Sequence, residues 1–473
     1  MFMAAGICGF AILSARAGEA ATPQRPNIVF IMSDDHASAA MSCYGSKLNT
    51  TPNLDRIARE GMRFDNCFVT NSICTPSRAA ILTGQYSHIN GVKTFTAMDP
   101  TLVTFPKLLQ QAGYHTAVIG KWHLMKNPTG FDFWSILPGQ GKYFDPTFIE
   151  KENGPANADG TSAGKMVTHT GYVTDIITDK CIAFLQNRPA DRPFLLLYHH
   201  KAPHDTWEYD PKHAQLYKDK VIPEPPVLFD DYRTRASPIQ TTEQKIGVQH
   251  TVYAKETGHL TGRARKSAQY QEFIKRYLRC VASIDENVGR LLDYLDKAGL
   301  AQNTIVIYTS DQGVFLGEHG LYDKRFMYDE SIRMPFLVRY PGRIKPGSVN
   351  RDMVLNVDFA PTLLELAGLM NYPGMQGRSF LPLLQGQTPS NWRTAMYYRY
   401  YYSHFKTEPH YGVRTLHHKL IYYDRTKEWE LFDLDEDPRE LNNCYGDPSY
   451  GKTLEQLKIS LRKLRTDLDD REE

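Results

Sequence analysis

Polar residues that can bind a metal ion or transfer protons follow four apolar runs of the chain. They are SDDH at residues 33–36, GKWHL at 120–124, HHKAPH at 199–204 and TSDQG at 309–313. Carboxylates are ligands for hard divalent cations, and histidines exchange protons near neutral pH. Taken singly, each cluster is more often an ordinary loop, because aspartate after a strand commonly caps or solvates a turn. Their chemistry therefore depends on whether the fold brings them together.

The four preceding runs are typical of strands that are buried on both faces. They are NIVFIM at 27–32, TAVI at 116–119, FLLLY at 194–198 and TIVIY at 304–308. Such continuous apolar segments favour a mostly parallel sheet with helices on both sides. Ligands of open α/β sheets bind beyond the carboxyl ends of the strands. The sequence thus predicts that the four polar clusters converge on one crevice.

Two runs carry a resemblance to a known family. Residues 74–84, CTPSRAAILTG, resemble the sulfatase signature, and residues 113–123, GYHTAVIGKWH, match the second sulfatase signature almost throughout. A cysteine is otherwise usually a buried and inert thiol. The resemblance implies that Cys74 is oxidised to formylglycine, whose hydrated aldehyde attacks sulfur, holds the sulfate as a half-ester and expels it by reforming the carbonyl. It also implies an alkaline-phosphatase-like fold and a separate maturation enzyme, either formylglycine-generating or anaerobic.

The same resemblance implies a metal site and a set of catalytic groups. The metal ligands are Asp34, Asp35, Asp311 and Gln312. Because all four offer hard oxygen atoms, we expect Ca²⁺, with Mg²⁺ as the alternative, and the lack of a Cys/His ligand set argues against zinc. The remaining groups are Arg78, Lys121 and Lys324 as the positive charges around the sulfate, His204 as general acid and His123 as the group that assists the formylglycine.

The sequence indicates the substrate less clearly than the reaction. Residues 139–143, 199–201 and 410–415 look most like glycosaminoglycan sulfatases of the N-acetylglucosamine-6-sulfatase type. Tyr143, His410 and Arg414 are the predicted sugar contacts, since tyrosine offers a ring face and arginine a fork for anions, although an aromatic strand residue is more often core. A glycosaminoglycan or mucin-type glycan is the expected substrate. A uronate-2-O- or galactose-sulfate sulfatase, a phosphate or phosphonate monoester hydrolase, and a glycan-binding protein without catalysis stay open.

The charge balance and the N-terminal segment indicate the class of binding partner and the cellular location. Lysine and arginine number 55 against 53 acidic residues, so nothing suggests a nucleic-acid surface. Residues 1–21 have an apolar run followed by small residues, which predicts a signal peptide that is too short to span a membrane, although no basic residue precedes the run. A short core helix is the alternative. Removal of the segment would imply a secreted or periplasmic enzyme, or a lysosomal one in a eukaryote.

The rest of the chain predicts a catalytic domain over residues 22–372 and a smaller α+β subdomain over 373–473. Residues 205–270 lack a helical or strand period, and residues 278–295 predict an amphipathic helix. Four short aromatic strands between 395 and 433 predict an antiparallel sheet, against which a helix over 454–468 would pack. Five cysteines remain after Cys8 and Cys74 are set aside, which excludes a disulfide scaffold but leaves one or two bridges open.

Overall fold

The computed structural model describes residues 25–247, 257–370 and 372–471. The predicted signal peptide, residues 1–21, lies outside the described residues. The strands are β1 Asn27–Ser33, β2 Met62–Phe64, β3 Cys67–Phe68, β4 His115–Lys121, β5 Phe133–Leu137, β6 Thr147–Lys151, β7 Gly164–Thr168, β8 Phe194–His199, β9 Thr304–Ser310, β10 Phe315–Leu316, β11 Tyr322–Asp323, β12 Phe336–Arg339, β13 Ser348–Asn350, β14 Val354–Leu355, β15 Ala395–Tyr400, β16 His410–Thr415, β17 His418–Tyr423 and β18 Trp429–Asp433. The α-helices are α1 Pro52–Glu60, α2 Cys74–Thr83, α3 Ser87–Asn90, α4 Phe105–Gln111, α5 Val173–Asn187, α6 Ser237–Thr241, α7 Gly262–Lys297, α8 Asp329–Ile332, α9 Phe359–Leu366, α10 Leu381–Leu384 and α11 Gly451–Asp467.

Ten strands form one mixed sheet in the order β13-β2-β12-β9-β1-β8-β4-β5-β6-β7. The five strands from β9 to β5 are parallel, and antiparallel pairs flank them on both sides. The four strands predicted from apolar runs are neighbours in this parallel centre, in the order β9-β1-β8-β4. The predicted α/β architecture with a mostly parallel sheet is therefore confirmed.

The central strand β1 shows why these runs are apolar throughout. Ile28, Phe30 and Met32 belong to the hydrophobic core on one face of the sheet, to which α2, α4 and α9 contribute. Val29 and Ile31 belong to the core on the other face, which α1, α5 and α7 cover. A strand with helices on both faces buries every side chain, so its sequence does not alternate between apolar and polar residues.

A second, smaller sheet lies near the C-terminus. Its strands β15, β16, β17 and β18 pair antiparallel in chain order, as predicted. Helix α11 packs on it through the buried side chains of Leu457 and Leu461. Residues of this sheet share one hydrophobic cluster with the large sheet. The small sheet is thereby packed against the part of the molecule that holds the large sheet.

The long helix α7 begins earlier than the sequence predicts. The irregular segment was expected to continue to about residue 270, but the helix begins at Gly262. The prediction was wrong there because the first two turns are mostly polar, and the buried stripe begins only with Tyr270 and Phe273. These polar turns contribute Arg265 and Gln269 to the wall of a cavity, so they lack the apolar period that identifies a helix packed on a core.

Two further expectations concern cysteines and membranes. The six cysteines within the described residues are all free thiols, so neither of the disulfides left open by the sequence forms there. Of the helices that the structure describes, none combines the length and apolar character that crossing a bilayer requires.

Candidate active site

Three carboxylates meet where β1 and β9 end. Asp34 and Asp35 follow β1 directly, Asp311 follows β9, and the two strands are paired through Ser33 and Ser310. One oxygen of each carboxylate lies within 4.8 Å of an oxygen of the others, and all three residues are buried. The Asp35 amide donates a hydrogen bond to Asp311 Oδ1 at 3.2 Å. Three buried anions this close require positive charge nearby.

The oxygen atoms of this cluster fit a divalent cation. Asp34 Oδ1 and Gln312 Oε1 are buried and have no hydrogen-bond partner among the described residues. Buried polar atoms without a partner are rare, and a bound ion explains such a pair beside three carboxylates. Carboxylate and amide oxygens suit Ca²⁺ or Mg²⁺ rather than zinc. The four predicted ligands are thus brought together in one place.

Basic side chains surround the cluster. The Arg78 guanidinium donates to Asp311 Oδ2 from Nε at 3.0 Å, and its Nη2 lies 2.9 Å from the same oxygen. Lys324 Nζ lies 2.5 and 2.6 Å from the two oxygens of Asp35, and Lys121 Nζ contacts Asp34. Burial would raise the pKa of Asp311, but Arg78, Lys121 and Lys324 hold it below its usual value. The Asp311 carboxylate is therefore ionised and available as a ligand.

Cys74 is the first residue of α2 and lines the cavity above the carboxylates. Its sulfur lies within 4.8 Å of ligand atoms of Asp34 and His204. Burial raises the pKa of the thiol to about 11, although Lys324 acts in the opposite direction. A thiol with this pKa is protonated at neutral pH, and the thiol is not the reactive form of cysteine. The unmodified side chain is thus well placed but poorly activated.

Two histidines face the same space. His204 Nε2 lies 3.6 Å from Asp35 Oδ2, and its Nδ1 lies 2.5 Å from Asp205 Oδ1. Burial, with a smaller effect from Lys121, lowers the pKa of His204. Burial also lowers the pKa of His123 to about 2, and its buried Nδ1 has no partner among the described residues. Asp205 therefore fixes the ring of His204, whereas His123 keeps one ring nitrogen free.

One cavity of about 760 Å³ is lined by Asp35, Cys74, His123, His204 and Lys324. Such a volume lies in the range of roughly 300–1,000 Å³ that is usual for small-molecule sites. Several lining residues were not predicted from the sequence: Phe95, Gln140, Asp205, Trp207, Arg265, Asp323, Arg325, His404 and Phe405. Only those next to a predicted residue in the chain, such as Asp323 and Arg325 beside Lys324, had a sequence signal. The others come from separate loops and from the first turn of α7.

The three predicted sugar contacts do not line this cavity. Tyr143 is buried, and its hydroxyl donates to the backbone oxygen of His204 at 2.5 Å. His410 is buried under the rings of Tyr398 and Phe326. Arg414 donates two hydrogen bonds to Asp329, at 2.9 and 2.8 Å. All three side chains support the fold in this structure, and none of them is among the residues that line the cavity.

Replacing Arg414 by methionine should therefore destabilise the protein without weakening substrate binding. The change breaks a buried ion pair, and we expect a loss of about 3 kcal/mol, because Lys419 and Arg333 still compensate Asp329. Denaturant unfolding measures the stability, and initial rates measure KM in the folded variant. A rise of KM by about tenfold or more at unchanged stability would restore Arg414 as a sugar ligand.

Comparisons with known proteins agree with this geometry. The family model described as Sulfatase matches residues 26–369, and the one described as N-sulphoglucosamine sulphohydrolase, C-terminal, matches residues 317–467. The chain is 44% identical to an N-acetylglucosamine-6-O-sulfatase of Bacteroides thetaiotaomicron over 94% of this chain and 87% of that protein. It is 30% identical to the human N-acetylglucosamine-6-sulfatase over 81% of this chain and 68% of that one.

A solved structure extends the similarity to three dimensions. That protein, in complex with its substrate D-glucosamine-2-N,6-O-disulfate, is 44% identical and superposes with a TM-score of 0.89 over 95% of this chain and 99% of its own. The predicted alkaline-phosphatase-like fold is thereby confirmed. Because the family model covers most of the chain and the signature residues stand at one cavity, the protein belongs to the sulfatase family and is a sulfuric ester hydrolase.

Proposed function

We propose that this sulfatase removes the 6-O-sulfate of N-acetylglucosamine in a glycosaminoglycan or mucin-type glycan. The observation that carries the proposal is the 44% identity, over 94% of the chain, to an enzyme of that name. The cavity supports it, since its volume suits a sugar and its wall combines rings with charged groups. The enzyme acts outside the cytoplasm, in keeping with the predicted signal peptide.

The proposed chemistry needs two additions to the chain. Asp34, Asp35, Asp311 and Gln312 would hold a divalent cation, with Ca²⁺ preferred, and a separate maturation enzyme would convert Cys74 to formylglycine. When bound, the cation supplies positive charge for the sulfate oxygens, and the formylglycine supplies a diol oxygen as nucleophile. The chain itself supplies Arg78, Lys121 and Lys324, whose charges compensate the carboxylates and leave the site able to accept an anion.

Protons are handled by the two histidines of the cavity. His204 donates a proton to the departing sugar oxygen, and Asp205 keeps its ring in the required orientation. A bound sulfate ester places negative charge beside the ring, which favours the protonated form that burial alone disfavours. His123, which lines the same cavity as Cys74, accepts a proton from the residue at position 74.

The His204→Ala variant should separate this role from simple binding. We expect kcat for the sugar sulfate to fall about 10²- to 10⁴-fold, because the alkoxide leaving group needs a proton. An aryl sulfate with a nitrophenolate leaving group should lose much less, since that group departs without protonation. His213→Ala, a histidine outside the cavity beside Glu286, serves as the matched control. Equal losses on both substrates would remove His204 from the acid role.

A panel of sulfated sugars tests the proposed substrate. The matured enzyme is assayed on the 6-sulfate of N-acetylglucosamine, the 6-sulfate of galactose, a 2-O-sulfated uronate disaccharide, an aryl sulfate and an aryl phosphate. The proposal requires the highest kcat/KM on the glucosamine derivative and a preference for sulfate over phosphate. A higher kcat/KM on the galactose or uronate compound would reject it and leave the sulfatase class intact.

A further inference from the structure

The cations that line the substrate cavity are not all paired. Lys324 contacts Asp35, and Arg325 contacts Asp323. Arg265, in the first turns of α7, also lines the cavity but contacts no carboxylate in the described part of the chain. The side chain as a whole is half-buried, but its Nε is buried and lacks a hydrogen-bond partner there. A buried guanidinium nitrogen without a partner is costly unless a ligand satisfies it.

The position of Arg265 in α7 determines where its guanidinium can bind an anion. Gln269 follows it by one helical turn and lines the same cavity, so both side chains lie on one face of α7. Gln269 is held by a hydrogen bond from its Nε2 to Thr257 Oγ1 at 3.0 Å. Arg265 is thus presented to the ligand space from a helix rather than from a loop.

We infer that Arg265 forms a second anion-binding position in the cavity, which takes a carboxylate or sulfate group of the substrate other than the sulfate that is hydrolysed. This inference rests on the proposed function, because it concerns the same cavity and substrate. Lys324, Arg78 and the carboxylate cluster lie with Cys74 at the hydrolytic position. Arg265 stands apart from their ion pairs, and a planar fork matches carboxylate and sulfate oxygens in a bidentate manner.

Two chemical sources can provide the second anion. It is either an N-sulfate on the glucosamine itself or the carboxylate of a uronate next to it. Three substrates separate them: N-acetylglucosamine 6-sulfate, the N,6-O-disulfated glucosamine, and a uronate disaccharide that carries N-acetylglucosamine 6-sulfate. The measured quantity is the ratio of kcat/KM for each doubly charged substrate to that for the singly charged sugar.

The test variants are Arg265→Gln, which keeps much of the stem, and Arg265→Lys, which keeps the charge but not the fork. In Arg265→Gln we expect the ratio to fall roughly 10- to 100-fold for at least one doubly charged substrate, through KM rather than kcat, because a remote anion is bound equally in ground and transition states. Arg265→Lys should show an intermediate loss. The substrate whose ratio falls identifies the source of the anion.

Arg263→Ala is the matched control. Arg263 lies on the same turn of α7, but its guanidinium stacks on Phe229 at 3.7 Å and is outside the cavity, so its ratios should equal those of the parent. Ratios in Arg265→Gln that equal the parent's for both doubly charged substrates would overturn the inference. Failure of the parent to hydrolyse any of the three sugars would instead reject the proposed function, so the two failures are distinguishable.

Discussion

Replacing Cys74 by alanine should abolish sulfate-ester hydrolysis, with kcat falling at least about 10⁴-fold. The site has its charges and histidines arranged around this residue, and none of them can take the place of the nucleophile. The unmodified thiol cannot serve either, because burial raises its pKa to about 11. Cys74→Ser should be equally inactive in turnover, since a single hydroxyl lacks the second oxygen that allows the sulfate to be expelled.

The modification itself can be read from one peptide. Trypsin cleaves after Arg63 and Arg78, which gives a peptide over residues 64–78 that contains both Cys67 and Cys74. After alkylation of the denatured protein, an unmodified peptide carries two alkyl groups, whereas one with an aldehyde at position 74 carries one.

Cys444→Ala is the control for the activity of the Cys74→Ala variant, because the Cys444 thiol lies outside the cavity. Full activity of Cys74→Ala would refute the assignment of the nucleophile.

The hydrolytic end of the site was predictable because its signals are local in the sequence. Asp34 and Asp311 each follow an apolar run, and a parallel sheet places the ends of neighbouring strands at the same edge. Cys74 and Arg78 stand one turn apart in α2, so a short motif fixes their relation. Local pattern and sheet topology together were sufficient for these groups.

The part of the cavity wall that is proposed to contact the sugar was not predictable in the same way. Trp207, Arg265 and His404 come from three distant segments, and only tertiary packing brings them to one wall. Conversely, Tyr143 and Arg414 have side chains that suit sugars, but residue type does not report burial. Arg414 lies on strand β16, and its side chain pairs with Asp329, which is distant in the sequence. No sequence pattern indicates this ion pair.

Chelation of the bound divalent cation should inactivate the enzyme and lower its stability together. The loss of charge stabilisation amounts to several kcal/mol, so kcat should fall at least about 10³-fold. Returning Ca²⁺ to the chelated protein at a hundredfold excess over its Kd should stabilise the native state by about 2.7 kcal/mol, which raises the unfolding temperature. We expect Ca²⁺ to act at lower concentration than Mg²⁺, which keeps a stricter octahedral geometry and several waters.

The Asp311→Asn variant tests whether the stabilisation by Ca²⁺ arises at the predicted cluster of metal ligands. The change nearly preserves shape and removes one of the three buried charges, so the stabilisation by Ca²⁺ should be largely lost while the protein without Ca²⁺ stays folded. Asp191→Asn, an exposed acid away from the site, should respond to Ca²⁺ like the parent. If Asp311→Asn kept the full response, the ion would have to bind elsewhere, and the orphan oxygens of Asp34 and Gln312 would need another explanation. Because the response is measured by unfolding, this result does not depend on how much of Cys74 has been matured.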